Sequence, residues 1–296
     1  MEALIKKALA SDPVIAPMLA TWNNEPAVFY QTAPPDKDRG WARIQYPRVD
    51  FAVDWTYNPE RKADGACQIN VWCLNNGTTA FPEDIGDAIR ESLRDLFITG
   101  TDGELYSLEW QRTDAFEAGG QNEPLTIGVT LSFDILAFPK QQTFQPDPVE
   151  GLNSYIKAIA PDALVAGVDV IPELCRPTED QPVVYVRLAG DISAMRNSYA
   201  VAWMDVSLAI HIFAPHPTMR QLAARQIANR IALDGECKLA DGSPMLIQRV
   251  AINTGANPLR QGQLTISGRY GVLRVPEEAP LLNNPNMRGV FRFNGN

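Results

Sequence analysis

Gln68-Ile69-Asn70-Val71-Trp72-Cys73-Leu74 alternates polar and apolar side chains, and Val206-Ser207-Leu208-Ala209-Ile210-His211-Ile212-Phe213 does so again later in the chain. A period of two is the signature of a strand with one face buried. Each segment is followed by a proline-containing turn and then by a helical stripe. In the first copy Ile85, Ile89, Leu93 and Phe97 recur every four residues, with Leu96 widening the stripe. In the second, Met219, Ala223, Ile227 and Ile231 recur in the same way, with Leu222 beside them, at a constant offset of 134. Such stripes mark helices that bury one face.

Working outward, residues 105–112 and 245–252 read as strands, each leading into a loop rich in Gly and Asn. Both loops enter a further strand with a shared tripeptide, Leu125-Thr126-Ile127 and Leu264-Thr265-Ile266. Upstream, Arg43-Ile44-Gln45-Tyr46 corresponds to Val184-Tyr185-Val186-Arg187, and short helices are expected at 3–10 and 152–160. Six elements in one order imply a tandem duplication of a helix–strand–strand–helix–strand–strand unit. The expected fold class is therefore α+β: two similar tandem domains, each a mostly antiparallel sheet of about four strands packed against one or two helices. The first domain spans 1–140 and the second 149–280, joined by a proline-containing linker at 140–148 and followed by a C-terminal extension, 281–296. Stretches 31–40, 54–66 and 112–124 hold little to bury and are expected as long loops.

Composition fits two soluble domains. The chain has 296 residues, 45 % apolar and 21 % charged, and about 150 residues per domain is usual. No apolar run approaches the ~20 residues of a membrane span, so no membrane is expected as a partner. Residues 1–20 carry acids and prolines too early for a signal peptide. Four cysteines without paired spacing suit free, mostly buried thiols in a reducing cytosol. Charge is unevenly shared: residues 1–145 hold 12 Lys+Arg against 21 Asp+Glu, while 146–296 hold 14 of each. The net −9 thus belongs to the first half. An acidic half disfavours binding to a phosphate backbone, which is driven by Lys and Arg displacing counterions. Sequence-specific nucleic acid is not expected as a partner.

Chemistry is sparse. The two histidines, His211 and His216, lack further ligands at diagnostic spacing, so no metal site is expected. His211 sits on the strand phase opposite Leu208, Ile210 and Ile212, and is expected to face solvent or a partner. Cys67 and Cys73 read as structural thiols. Nucleophile-elbow, Walker-type, HExxH and dinucleotide motifs are all missing. Gly119-Gly120 precedes a strand, so no helix N-terminus is offered to an anion there. Neither a catalytic residue nor a cofactor is expected, and the chain reads as a non-enzyme.

Several residues are candidates for a protein interface. Asp84, Asp87, Glu91 and Asp95 form an acidic line beside the first apolar stripe, continuing as far as residue 97. At the same offset the second copy carries Thr218, Gln221, Arg225 and Asn229, and its helix adds Arg220 and Arg230. Either these are ordinary solvated faces, with acids favoured near a helix start, or the two faces meet within or between chains through opposite charge. Trp22, Trp41, Trp55, Trp72 and Trp110 crowd the first copy, with Trp203 alone in the second. Trp72, on the polar phase of its strand, is a candidate contact anchor, with core packing as the alternative. Phe291 and Phe293 in Val290-Phe291-Arg292-Phe293 belong either to a strand that pairs with a neighbour's sheet edge or to a frayed terminus.

The order of elements resembles the tail terminator, or tail completion, proteins of tailed bacteriophages, the lambda minor tail protein U-like family. The resemblance runs through the opening Ala3-Leu4-Ile5-Lys6-Lys7-Ala8-Leu9 helix, strand 68–74 with its helix, and the hairpin closing at 125–138. It repeats through Tyr155-Ile156-Lys157-Ala158, 206–213, 218–233 and 264–275, about nine-tenths of the chain, without an invariant motif. Family members are single units, so the duplication is a departure. The resemblance implies a non-enzymatic virion structural protein in the tail near the neck, assembled in the host cytoplasm. It implies a ring homo-oligomer, six chains or three, that caps the tail tube. Implied partners are the tube protein, the head–tail connector or neck protein, and the sheath where there is one. Another neck, sheath-associated or baseplate adaptor role is the nearest alternative. A two-domain ligand-binding protein or enzyme with an interdomain cleft is a more distant one.

Overall fold

A computed structural model describes residues 1–33, 46–75, 81–101, 103–119, 125–140, 145–194 and 200–273. The first half runs α1 (Glu2–Ser11), a small ribbon of β1 (Thr21–Trp22) and β2 (Glu25–Pro26), β3 (Val28–Tyr30), β4 (Arg48–Asp54) and β5 (Gly65–Leu74). It continues with α2 (Pro82–Leu93), β6 (Phe97–Thr99), β7 (Leu105–Ala118) and β8 (Thr126–Phe138). The second half runs α3 (Pro148–Ile159), β9 (Leu164–Val165), β10 (Leu174–Cys175), β11 (Val183–Leu188), β12 (Ser193–Ala194) and β13 (Val201–Phe213). Then come α4 (Pro217–Asp234), β14 (Glu236–Lys238), β15 (Pro244–Ile252) and β16 (Leu264–Leu273). Among the described residues no helix is long and apolar enough to cross a membrane.

The expectation of small α+β units with four-stranded sheets is corrected. The protein is mostly β, built on two curled half-barrel sheets of seven strands each. The strands that were missed are short: β3, β6, β9, β10 and β14 have two or three residues, too few for an alternation signal. The first sheet is ordered β10-β6-β7-β8-β5-β4-β3, and the second β14-β15-β16-β13-β11-β9, with β12 also on β13. Without β10 the two orders coincide, including the parallel pair at one edge, β3 with β4 and β9 with β11. Each half has its own core. In the first, Ile5 and Leu9 of α1 and Ile85, Ile89 and Leu93 of α2 pack on Phe51, Ile69 and Leu131. In the second, Leu152 and Ile156 of α3 and Ile227 and Ile231 of α4 pack on Val184, Ile210 and Leu264.

Registration differs from the sequence reading in three places. Ile69 pairs with Leu131 and Ile210 with Leu264, so Leu264 is the counterpart of Leu131, and the shared Leu-Thr-Ile is coincidental. The buried side of α4 is Ala224, Ile227, Ala228 and Ile231. These positions match Ile89, Ser92, Leu93 and Leu96 at offset 135, which also aligns the first-turn prolines Pro82 and Pro217. Met219 and Ala223 are only half-buried and Leu222 is exposed. The third difference is that α2 stops at Leu93: Asp95 adopts a left-handed conformation (φ 55°) and Phe97 begins a strand. Residues 112–118 of the expected loop are the charged outer part of β7.

Candidate functional site: a seam, a cleft and two helix faces

The halves meet in a third apolar cluster. Phe97, Leu105, Leu136 and Phe138 of the first half face Ile171, Cys175, Val183, Tyr185 and Phe213 of the second. Ring centroids lie 4.6 Å apart for Phe97 and Phe213, 5.3 Å for Phe138 and Tyr185, and 5.4 Å for Phe138 and Phe213. Backbone joins the halves too. Strand β10 of the second half pairs antiparallel with β6 of the first, Leu174 with Ile98 and Cys175 with Phe97. The Tyr185 hydroxyl donates to the Pro139 carbonyl at 2.8 Å. Outside this pairing, the Thr99 hydroxyl donates to the Pro172 carbonyl at 2.9 Å.

A polar cleft of about 780 Å³ opens beside the seam. Across its mouth Arg260 reaches back to the first half, where Nε donates to Glu109 at 2.6 Å and Nη2 to Asp134 at 2.7 Å. Arg260 also donates to the Arg61 carbonyl, and Asn257 donates to Glu109 at 2.7 Å. Arg61, Lys62 and Arg187 line the cleft, whereas Ser, Thr and Cys are missing from its described lining. No cluster of metal-ligating side chains occurs among the described residues. All four cysteines are free and buried, and burial pushes the Cys67 and Cys237 thiols up to about 12, which makes them poor nucleophiles.

His211 does not face solvent. It is 2 % exposed, stacked among Phe138, Tyr185 and Phe213. Arg187 Nε donates to its Nε2 at 3.0 Å, so the proton sits on Nδ1, which faces the Pro258 carbonyl at 2.7 Å. Burial, with the nearby Arg187 charge, drives its pKa down from 6.5 to about 4. The folded state thus favours the neutral ring. Its stabilisation is complete above pH 6.5 and is lost as pH falls from there toward 4, amounting to about 3 kcal/mol. Urea melts of wild type and His211→Asn at pH 7 and pH 4.5 are expected to show a smaller acid loss in the variant. An equal loss in both would overturn this assignment.

The other interface candidates fall in separate places. Asp84, Asp87 and Glu91 are exposed on α2, where Asp87 pairs with Arg90 at 3.2 Å and Glu91 with Arg94 at 2.9 Å. Arginines of their own segment therefore offset much of the acidic line. Asp95 lies past the helix end; burial holds its carboxyl above the usual range, opposed by Arg220, Arg94 and Arg176. The field of Arg220, whose guanidinium donates to the Ala214 carbonyl at 3.0 Å, thus reaches Asp95. Arg225 is exposed, and Arg230 pairs with Asp234 at 3.1 Å. Trp72 is half-buried, with the Phe116 ring 4.7 Å away and the Arg48 guanidinium 5.1 Å away. It belongs to a covered network in which Asn70 donates to Asp50 at 2.9 Å and Thr130 to Asn70 at 2.8 Å. Phe291, Phe293 and Trp41 lie outside the described residues.

Sequence reasoning missed Phe138, Phe213, Glu109, Asp134 and Arg260. A signal existed for Phe213: Ala209-Ile210-His211-Ile212-Phe213-Ala214 is apolar on both strand phases apart from His211, and such a run marks a strand covered on both faces. Nothing in the sequence brought Arg260 to its two carboxylates. No protein-family model matches the chain, and no curated protein matches it significantly.

Proposed function

We propose that this chain is a non-enzymatic virion structural protein, a tail terminator whose copies close into a ring on the end of the tail tube and present a docking surface to the head–tail connector. One observation carries the reading. The second half lends β10 to the open edge of the first half's sheet, whereas the corresponding edge of the second sheet, β14, takes no strand among the described residues. A contact between unlike surfaces, repeated from chain to chain, closes into a ring when the rotation allows it. Chemistry at the corresponding positions supports assembly between separately soluble chains. Glu236 stands where the first half has Phe97, and Arg269 where it has Leu136. The acidic first half suits a lumen that does not hold DNA.

Electron microscopy and native mass measurement of the purified protein test this reading. Closed rings of three or six chains that bind isolated tail tubes are expected. A monomer that stays unassembled at high concentration and ignores tubes would overturn it. A neck or baseplate adaptor would instead bind the connector or baseplate.

A further inference from the structure

We propose that an apolar groove between α3 and α4 of one copy receives Phe81 and the acidic start of α2 from a second copy; this rests on the ring reading and names one of its contacts. The groove has a volume of about 630 Å³, lined by Ile159, Met219, Leu222 and Ala223 with Val184 and Ile212 beneath. Leu222 is 51 % exposed. In the first half a long connection, 12–27, puts Ile15 and Leu19 into the core beside α1 and α2, and Asp12 accepts from Ser92 at 2.5 Å. In the second half only residues 160–163 link α3 to β9. The segment that fills the first half's helix pair therefore has no counterpart among the described residues, which leave an apolar groove on the second.

An occupant that fits is apolar and protruding. Phe81 is 67 % exposed and sits immediately before α2, where Pro82 occupies the first turn and Asp84 N–H donates to the Phe81 carbonyl at 3.1 Å. Charge orients the pair. Glu83 and Asp84 are exposed beside Phe81, whereas Asp87 is paired with Arg90. Arg230, which also pairs with Asp234, stands on the α4 lip of the groove, and Arg225 is exposed on the same helix outside the lining, whereas Asp162 and Glu179 occupy the opposite lip. Seating the acids along α4 satisfies both signs; the reverse orientation sets acid against acid.

Sedimentation velocity and native mass measurement on the full chain test the contact. Phe81→Ala and Leu222→Arg are each expected to weaken assembly about tenfold or more with unchanged circular dichroism. Glu83→Lys with Asp84→Lys is expected to dissociate the assembly, and adding Arg225→Glu with Arg230→Glu to restore it. Rings that survive Phe81→Ala overturn this contact while leaving the ring reading intact. Loss of assembly from Leu222→Arg alone means that another segment fills the groove, which also overturns it. A wild-type chain that never assembles overturns both.

Discussion

Phe97→Ala is expected to lower the stability of the whole chain by about 3–5 kcal/mol, the usual cost of truncating a fully buried Phe. Phe97 is fully buried on the three-residue strand β6, between β7 on one side and β10 on the other. Its ring lies 4.6 Å from Phe213 and 5.7 Å from Phe138. Removing it opens a cavity on the seam, not within either half's own core. The consequence is therefore specific: coupling between the halves weakens more than the folding of each half. Five of the six tryptophans, Trp22, Trp41, Trp55, Trp72 and Trp110, lie in the first half, so fluorescence reports chiefly on that half, while circular dichroism reports on both. In wild type the two urea transitions are expected to coincide, as cooperative unfolding requires. In Phe97→Ala they shift to lower urea and separate. An unchanged midpoint would mean that the halves fold as independent bodies.

That residue also shows where the sequence was legible and where it was not. The strands 68–74 and 206–213 and the helices after them were readable because the strands are long and apolar on their core side and the helices are introduced by Pro82 or Pro217. Phe97 is four residues beyond Leu93 and so continues a helical period, yet the chain turns at Asp95 and Phe97 becomes a strand. Periodicity cannot see a reversal made by one left-handed residue. His211 was misread because one-sided burial was assumed; the end of β13 is covered by α4's core on one face and by Phe138 on the other. Residues 112–118 read as a loop in sequence because Arg112, Asp114 and Glu117 are charged, yet their backbone pairs with β8 throughout. The apolar stripe of α4 was displaced because Met219 and Ala223 line an open groove and are not core. In each case tertiary neighbours, not local preference, decided the outcome.

The second large effect is expected from Arg260→Ala, a loss of about 2–4 kcal/mol. Arg260 occupies a turn fixed by Asn257, whose side chain accepts from Leu259 N–H at 3.0 Å while Arg260 N–H donates to the Asn257 carbonyl at 3.1 Å. From there one planar guanidinium forks between Glu109 on β7 and Asp134 on β8, a geometry that lysine cannot reproduce. Asp134 is only 4 % exposed, so removing Arg260 leaves a carboxylate facing little water and only Arg61, 3.4 Å away, to compensate. The upper end of the usual range for a broken buried pair is discounted, because Arg260 keeps a quarter of its side-chain exposure. Lys7 and Glu173 supply the internal control. That pair also bridges the halves, at 2.9 Å, but both side chains are more than half exposed, and such pairs contribute about 0–1 kcal/mol. Lys7→Ala should therefore leave the urea midpoint nearly unchanged while Arg260→Ala moves it, and Arg260→Lys should fall between the two. Raising salt to ~1 M shortens the screening length to about 3 Å, which weakens the exposed pair but spares the half-buried one. If the Arg260→Ala loss disappeared in high salt, or fell to the size of the Lys7→Ala loss, the cluster would be an ordinary surface pair, leaving the apolar seam and the β6–β10 pairing to hold the halves together.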